Sequence, residues 1–526
     1  MARQVGAVEL KAMIGDGREL ALLDVREELP FSERHLLHAR SLPLSRLELR
    51  LDALVPRRGV RLVLCDAGDG LADRAARRIE RFGYADVAVL AGGIDAWERA
   101  GFTLFSGTNV PSKAFGEFVE HTSKTPSIAA PELAALMREG ADMVVLDSRP
   151  YDEYHRVSIP TGIDVPGAEL VLRVSDLAPD PKTLIVVNCA GRTRSIIGAQ
   201  SLINAGVPNR VVALRNGTMG WSLAGLTPDH GKDRRALDTS PGAIAWAKAA
   251  AGRVARRFGV ERIDPAQLAR WQQEAGRTTH LFDVRHPEEY EAGHLPGAVS
   301  APGGQLVQAT DQYVGTLGAR LVLADPLEVR AVMTASWLKQ MGWTEVFVLA
   351  EAGRERGWPP PTILGLEDTP QRGLAPAALA DLLLRGEASL FDLGSSRAFR
   401  EGHIEGAWFA IRSRLDAAFR RAPPRAHIVL TSEDGVLARL AVAEAEALIR
   451  GPASFLDGGT RAWAASGRAV VAGDGPMADE PLDLWLKAYE RSSGVRAAME
   501  EYLAWELDLI RRIELDGTCR FLAPPT

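Results

Sequence analysis

One cysteine in this chain has neighbours that could make it a nucleophile. It opens the stretch Cys189-Ala190-Gly191-Arg192-Thr193-Arg194-Ser195. The thiolate is the reactive form. A free thiol is only about 3% ionised at pH 7, and a pKa lowered to about 6.5 would raise that to roughly 75%. The residues after Cys189 suit a tight loop whose backbone N–H groups face its centre, and Arg192 and Arg194 add positive charge. Loop amides, a helix dipole and two guanidinium groups all favour a thiolate and attract an anionic substrate. The expectation is an ionised Cys189 with Ala190, Gly191, Arg192, Thr193, Arg194 and Ser195 as its binding loop.

The flanking sequence sets the place of this loop. Leu184-Ile185-Val186-Val187 is short, β-branched and without alternation, the pattern of a buried strand. After Ser195 the apolar residues Ile196, Ile197, Ala199, Leu202 and Ile203 have helical spacing and stop at Gly206. The thiol is therefore placed between the carboxyl end of a strand and the amino end of a helix.

The surrounding pattern recurs. Four apolar runs end in Asp: Leu22-Leu23-Asp24, Val145-Leu146-Asp147, Leu281-Phe282-Asp283 and Leu390-Phe391-Asp392. An aromatic follows each Asp by seven residues (Phe31, Tyr154, Tyr290, Phe399), and in three copies a histidine comes next, at His35, His294 and His403. A second strand ends at Cys65, Cys189, Ala324 and Thr431, which lie 41, 42, 41 and 39 residues beyond the Asp. A third strand then closes on a glycine turn, as in Gly92-Gly93 and Gly458-Gly459. Strands alternating with helical segments predict parallel sheets flanked by helices. The fold class is α/β, in four tandem units with a helical tail: 1–108, 109–236, 237–370, 371–474 and 475–526.

The Asp-x-Arg…Gly-His-x-Pro-Gly-Ala stretch from Asp283 to Ala298, the cysteine loop and the Gly-Gly-x-x-x-Trp closures (Gly92, Gly93, Trp97; Gly458, Gly459, Trp463) resemble the rhodanese superfamily of sulfurtransferases. The resemblance implies that a loop cysteine takes sulfane sulfur from a donor as a persulfide and passes it to an acceptor. Only the second unit meets the requirements, with Cys189 as nucleophile and Arg194 at the family's loop arginine. Cys65 is followed by Asp66 and Asp69, which repel a thiolate, so it reads as weak or as a relay thiol. Ala324 and Thr431 give the third and fourth units no thiol. Asp147 and Arg149 read as structural, the arginine pairing with a carboxylate such as Glu153. Ser158 stands where the other units have histidine. Related phosphatase loops carry one more residue between Cys and Arg than the four here, which disfavours hydrolysis.

The resemblance implies an anionic sulfur donor, such as thiosulfate or a small persulfide, a thiol or cyanide acceptor or a protein sulfur acceptor, and no cofactor. No cysteine or histidine cluster has metal-ligand spacing. The alternative is a non-catalytic scaffold or sulfur-relay binding protein. A net charge of −6 over 526 residues gives no electrostatic case for nucleic acid, and no apolar run is long enough for a membrane helix. Three cysteines and no basic-then-apolar start predict a cytoplasmic protein. Connector helices are predicted from Ser112 to Glu120 and from Pro241 toward Gly259 behind a Ser240 cap. A tail helix is predicted over Val495–Ile513, with Met499, Leu503, Leu507 and Ile510 on one face. Cys519 reads as a packing thiol.

Overall fold

The computed structural model describes residues 2–236, 238–423 and 425–525, so the expected boundary at Leu237 lies outside the described residues, as do Met1 and Thr526. Four parallel sheets share one strand order. In the second, Ser127–Ile128, Val211–Leu214, Leu184–Asn188, Met143–Asp147 and Ile163–Asp164 lie side by side. The central strands read as continuous apolar runs because helices cover both faces. The first sheet has one addition: Thr316–Leu317, from the third unit, pairs antiparallel with Leu20 and Ala21. One unit thus closes the edge of another.

Register shows which residues are equivalent. Asp24 is opposite Cys65, Asp147 opposite Asn188, Asp283 opposite Ala324 and Asp392 opposite Thr431. Cys65, Ala324 and Thr431 therefore match Asn188, the last residue of its strand, and not Cys189. The residues equivalent to Cys189 are Asp66, Asp325 and Ser432. The count along the chain missed this because the first and third intervals are each one residue shorter than the second, which looked like loop variation.

The second and third units share one core. It runs from Phe115 and Leu146 through the helix Pro241–Phe258 to Leu323 and Trp337. That helix starts where Ser240 Oγ accepts the Ala243 N–H at 3.1 Å and ends at Gly259, as its sequence dictates. The first and fourth units meet through buried charge: Arg412 bonds both oxygens of Glu48 at 2.8 and 3.1 Å, and Arg78 joins Glu48 to Glu444. No helix among the described residues is long and apolar enough to cross a membrane.

The tail helix, Val495–Asp516, lies along the connector helix Val110–Ser123. Its buried stripe is Met499, Leu503, Glu506, Leu509 and Ile513, while Leu507 is 55% exposed. The face expected through Leu507 and Ile510 is thus rotated, and a carboxylate sits on the inward side. Gly107 admits this helix closely: its φ is +86°, and a Cβ there would fall 2.4 Å from the Trp505 ring.

Candidate active site

Cys189 is the first residue past the strand Leu184–Asn188, and the helix Thr193–Ala205 begins four residues later. The loop is clamped from behind. The Cys189 carbonyl accepts the Thr218 N–H at 2.8 Å, and the Ala190 carbonyl accepts that of Met219 at 2.9 Å. Gly217 makes this approach possible, since a Cβ there would fall 2.3 Å from the Cys189 carbonyl oxygen. Asp147 and Arg149 brace the floor in a buried ion pair at 2.7 Å, and Arg149 also donates to the Val157 carbonyl at 2.6 Å. The structure gives Arg149 to Asp147, whereas Glu153 goes to Arg194. The latter pair closes at 2.8 Å, with Gln305 of the third unit 3.3 Å from the same guanidinium.

The thiol is 2% exposed and lies 3.6 Å from Ser195 Oγ. Burial pushes its pKa up, and Arg194 and the hydroxyl and N–H of Ser195 pull it down only in part; Glu506 pushes it further up. The expected ionised resting thiol is therefore corrected: desolvation outweighs the cation and the loop donors. Arg192 does not help. Its guanidinium grips both oxygens of Glu117, at 2.6 and 2.8 Å, and also bonds Glu120 and Asn216. It fastens the loop to the connector helix, where Gly116 lets Thr193 approach, so its expected role at the substrate is replaced by an anchoring one. Thr193 Oγ donates to Glu506 Oε1 at 2.6 Å, and Tyr502 and Glu506 lie over Gly191. Thr193 and Gly191 thus meet the tail helix, while Ala190 and Arg194 line a cavity of about 220 Å³. Lys113, Gln305, Lys487 and Tyr502 are among its other walls, together with the carboxylates of Glu28 and Glu153. The site is therefore built from the second unit, a connector, the third unit and the tail.

The rhodanese-like domain family matches residues 6–100, 129–224, 264–352 and 375–466, and the second of these stretches contains the Cys189 loop. The chain belongs to the rhodanese family. A crystal structure of a thiosulfate sulfurtransferase from Pseudomonas aeruginosa is 50% identical, covers 99% of this chain and 100% of its own, and superposes with a TM-score of 0.96. An HTH-type transcriptional regulator of Mycobacterium tuberculosis is 34% identical over 94 residues, and an uncharacterized protein of Synechocystis is 34% identical over 90. The chain spans 41% and 49% of the lengths of those two relatives.

The other three rhodanese loops fill their own centres. Asp66 accepts the N–H groups of Gly68, Gly70 and Ala72 at 2.8, 3.1 and 2.9 Å. Asp325 accepts those of Leu327 and Arg330 at 3.1 and 2.9 Å and also the Arg330 guanidinium at 3.0 Å. Arg330 is five residues past Asp325, as Arg194 is past Cys189, and it bonds Glu289 as Arg194 bonds Glu153. Ser432 accepts the Ala438 N–H at 3.4 Å. Cys65 lies beneath the first loop, fully buried, with its thiol 3.6 Å from the Leu23 carbonyl. Burial and Asp24 push its pKa well up. This enclosure, one residue before the loop, lends a relay role for Cys65 no support.

Sequence reasoning missed Lys113, Tyr502 and Glu506. Glu506 alone carried a signal, as a charged residue in step with Met499, Leu503, Leu509 and Ile513. His35, His294 and His403 each place Nδ1 within 2.8–3.0 Å of the carbonyl four residues back and stack on its ring, so they fasten turns. Cys519 is half-buried against apolar neighbours.

Proposed function

We propose that this protein is a sulfurtransferase whose working nucleophile is Cys189, with an anionic donor of the thiosulfate type. The observation that carries the reading is the carboxylate held in the equivalent loop: Asp325 sits among loop amides with Arg330 at 3.0 Å, which supports this cradle as a place for negative charge. In the second unit a thiol stands there. The Pseudomonas aeruginosa thiosulfate sulfurtransferase, alike over nearly the whole length, supports the same reaction class.

In this reaction the resting Cys189 thiol first gives its proton to solvent, and the thiolate so formed attacks the outer sulfur of thiosulfate. A Cys189 S–S bond forms, the donor's S–S bond breaks, and its electron pair leaves on sulfite. The loop amides and Arg194 then hold the persulfide anion. Cyanide or a thiolate attacks the outer sulfur, the pair returns to Cys189, and thiocyanate or a new persulfide departs. With Cys189 2% exposed beneath the tail helix, a small acceptor fits better than a folded protein. The free cysteines suit a reducing, cytoplasmic compartment. We retain the division 1–108, 109–236, 237–370, 371–474 and 475–526, the other three units serving as walls and supports.

The test is thiocyanate formation from thiosulfate and cyanide by wild type, C189S and C65S. Activity should vanish in C189S and persist in C65S. Full turnover in C189S would overturn the assignment.

A further inference from the structure

Lys113 lies on the first turn of the connector helix and lines the cavity that Ala190 and Arg194 of the cysteine loop also line, with the carboxylates of Glu28 and Glu153 on the same walls. It is 5% exposed, yet its Nζ makes no hydrogen bond among the described residues. Instead three rings surround it, with centroids at 5.7 Å (Trp485), 5.2 Å (Tyr502) and 4.9 Å (Trp505). Aromatic faces attract a cation but supply no acceptor for its N–H groups. Every other cation around this cavity is already engaged: Arg194 with Glu153 and Gln305, and Lys487 with Glu153.

We propose that Lys113 binds the oxyanion end of the sulfur donor, the sulfonate-like head that becomes sulfite, and so makes the tail and connector a donor-specificity site. The idea rests on the transfer reading above and names a binding group outside the cysteine loop. An ammonium with three unused donors, walled by rings, gains most from an anion that enters the cavity. Burial lowers its pKa to about 8, against the opposing pull of Glu506 and Asp311. An ammonium so poorly solvated gives up little hydration when it meets a ligand. The arrangement also gives the tail a purpose, since Trp485, Tyr502 and Trp505 all come from it.

The test separates binding from transfer. Sodium sulfite is titrated calorimetrically into full-length C189S, C189S/K113M and C189S/K113R, with K113Q replacing K113M if the latter does not fold. Sulfite should bind C189S saturably, about tenfold more weakly in K113M, and nearly normally in K113R. Equal binding with and without Lys113, or no saturable binding to C189S, overturns the proposal. In single-turnover experiments K113M should raise the half-saturating thiosulfate concentration while leaving the rate of persulfide discharge to cyanide unchanged. Normal persulfide formation by K113M at unchanged thiosulfate demand defeats Lys113 and spares the transfer reading. Lys113-dependent sulfite binding with no persulfide in wild type does the reverse.

Discussion

Asp66 and Cys189 occupy the same position in two copies of one fold, each the first residue past its central strand and each facing the N–H six residues on, from Ala72 and Ser195. A carboxylate fills the first loop, whereas a thiol stands in the second, as the proposed sulfur transfer requires. Fold and chemistry have separated within one chain.

This equivalence can be tested by moving the thiol. In a C189S background, Asp325→Cys places a thiol among the same amides, with Arg330 in the position of Arg194. It should acquire a sulfur atom from thiosulfate, detectable by mass spectrometry. Ala324→Cys places the thiol one residue earlier, at the buried end of the strand, and should stay inert. Labelling of Ala324→Cys alone would show the register assignment to be wrong.

The two loop arginines should fail differently. Arg192→Met strands Glu117, which is 3% exposed, and should cost about 3 kcal/mol of stability with little change in half-saturating thiosulfate. Arg194→Met removes the cation that pulls the thiol's pKa down and should lower kcat/KM for thiosulfate about 100-fold, with a smaller loss of stability because Lys487 still pairs with Glu153. Thermal melts and donor titrations of both variants decide the matter; reversed effects would exchange their roles.

Much of this was legible from the residues. The recurring Asp, aromatic and glycine positions imply four α/β units, and the run into Cys189 gives the strand–loop–helix setting. What was not legible depends on the third dimension. Arg192 and Arg194 are two residues apart, but the helix start sends one toward Glu117 and the other toward Glu153. Tyr502 and Glu506, which lie over the loop at Gly191, are more than 300 residues away in the chain. No local pattern announces that contact, and the Glu506 charge adds to the burial that raises the thiol's pKa.

The thiol's titration follows from that raised pKa. Burial and Glu506 hold the Cys189 pKa above its ordinary value, so its alkylation by iodoacetamide should keep rising beyond pH 9. Removing the Glu506 charge in E506Q should move the curve to lower pH. Peptide-resolved labelling across pH checks both, and a wild-type plateau below pH 8 would contradict the electrostatic account.

Glu27 gives a pH dependence of stability. It is 6% exposed between Ser45 and Ser413, which donate to it at 3.0 Å each across the first and fourth units. Burial raises its pKa from 4.5 to about 7. The folded state thus prefers the protonated form, and its contribution is intact below about pH 4.5 and lost as pH rises through about 7. E27Q should be about 3 kcal/mol more stable than wild type at pH 8 and nearly equal at pH 4. Denaturant midpoints at the two pH values measure this; an equal effect at both would exclude ionisation of Glu27 as the cause.

The most direct measurement is peptide mapping of the wild-type chain after incubation with thiosulfate and removal of excess donor. The account requires one added sulfur atom on the peptide bearing Cys189, absent from those bearing Cys65 and Cys519 and discharged by cyanide. An unmodified Cys189 peptide, or the sulfur found on Cys65 instead, would contradict it.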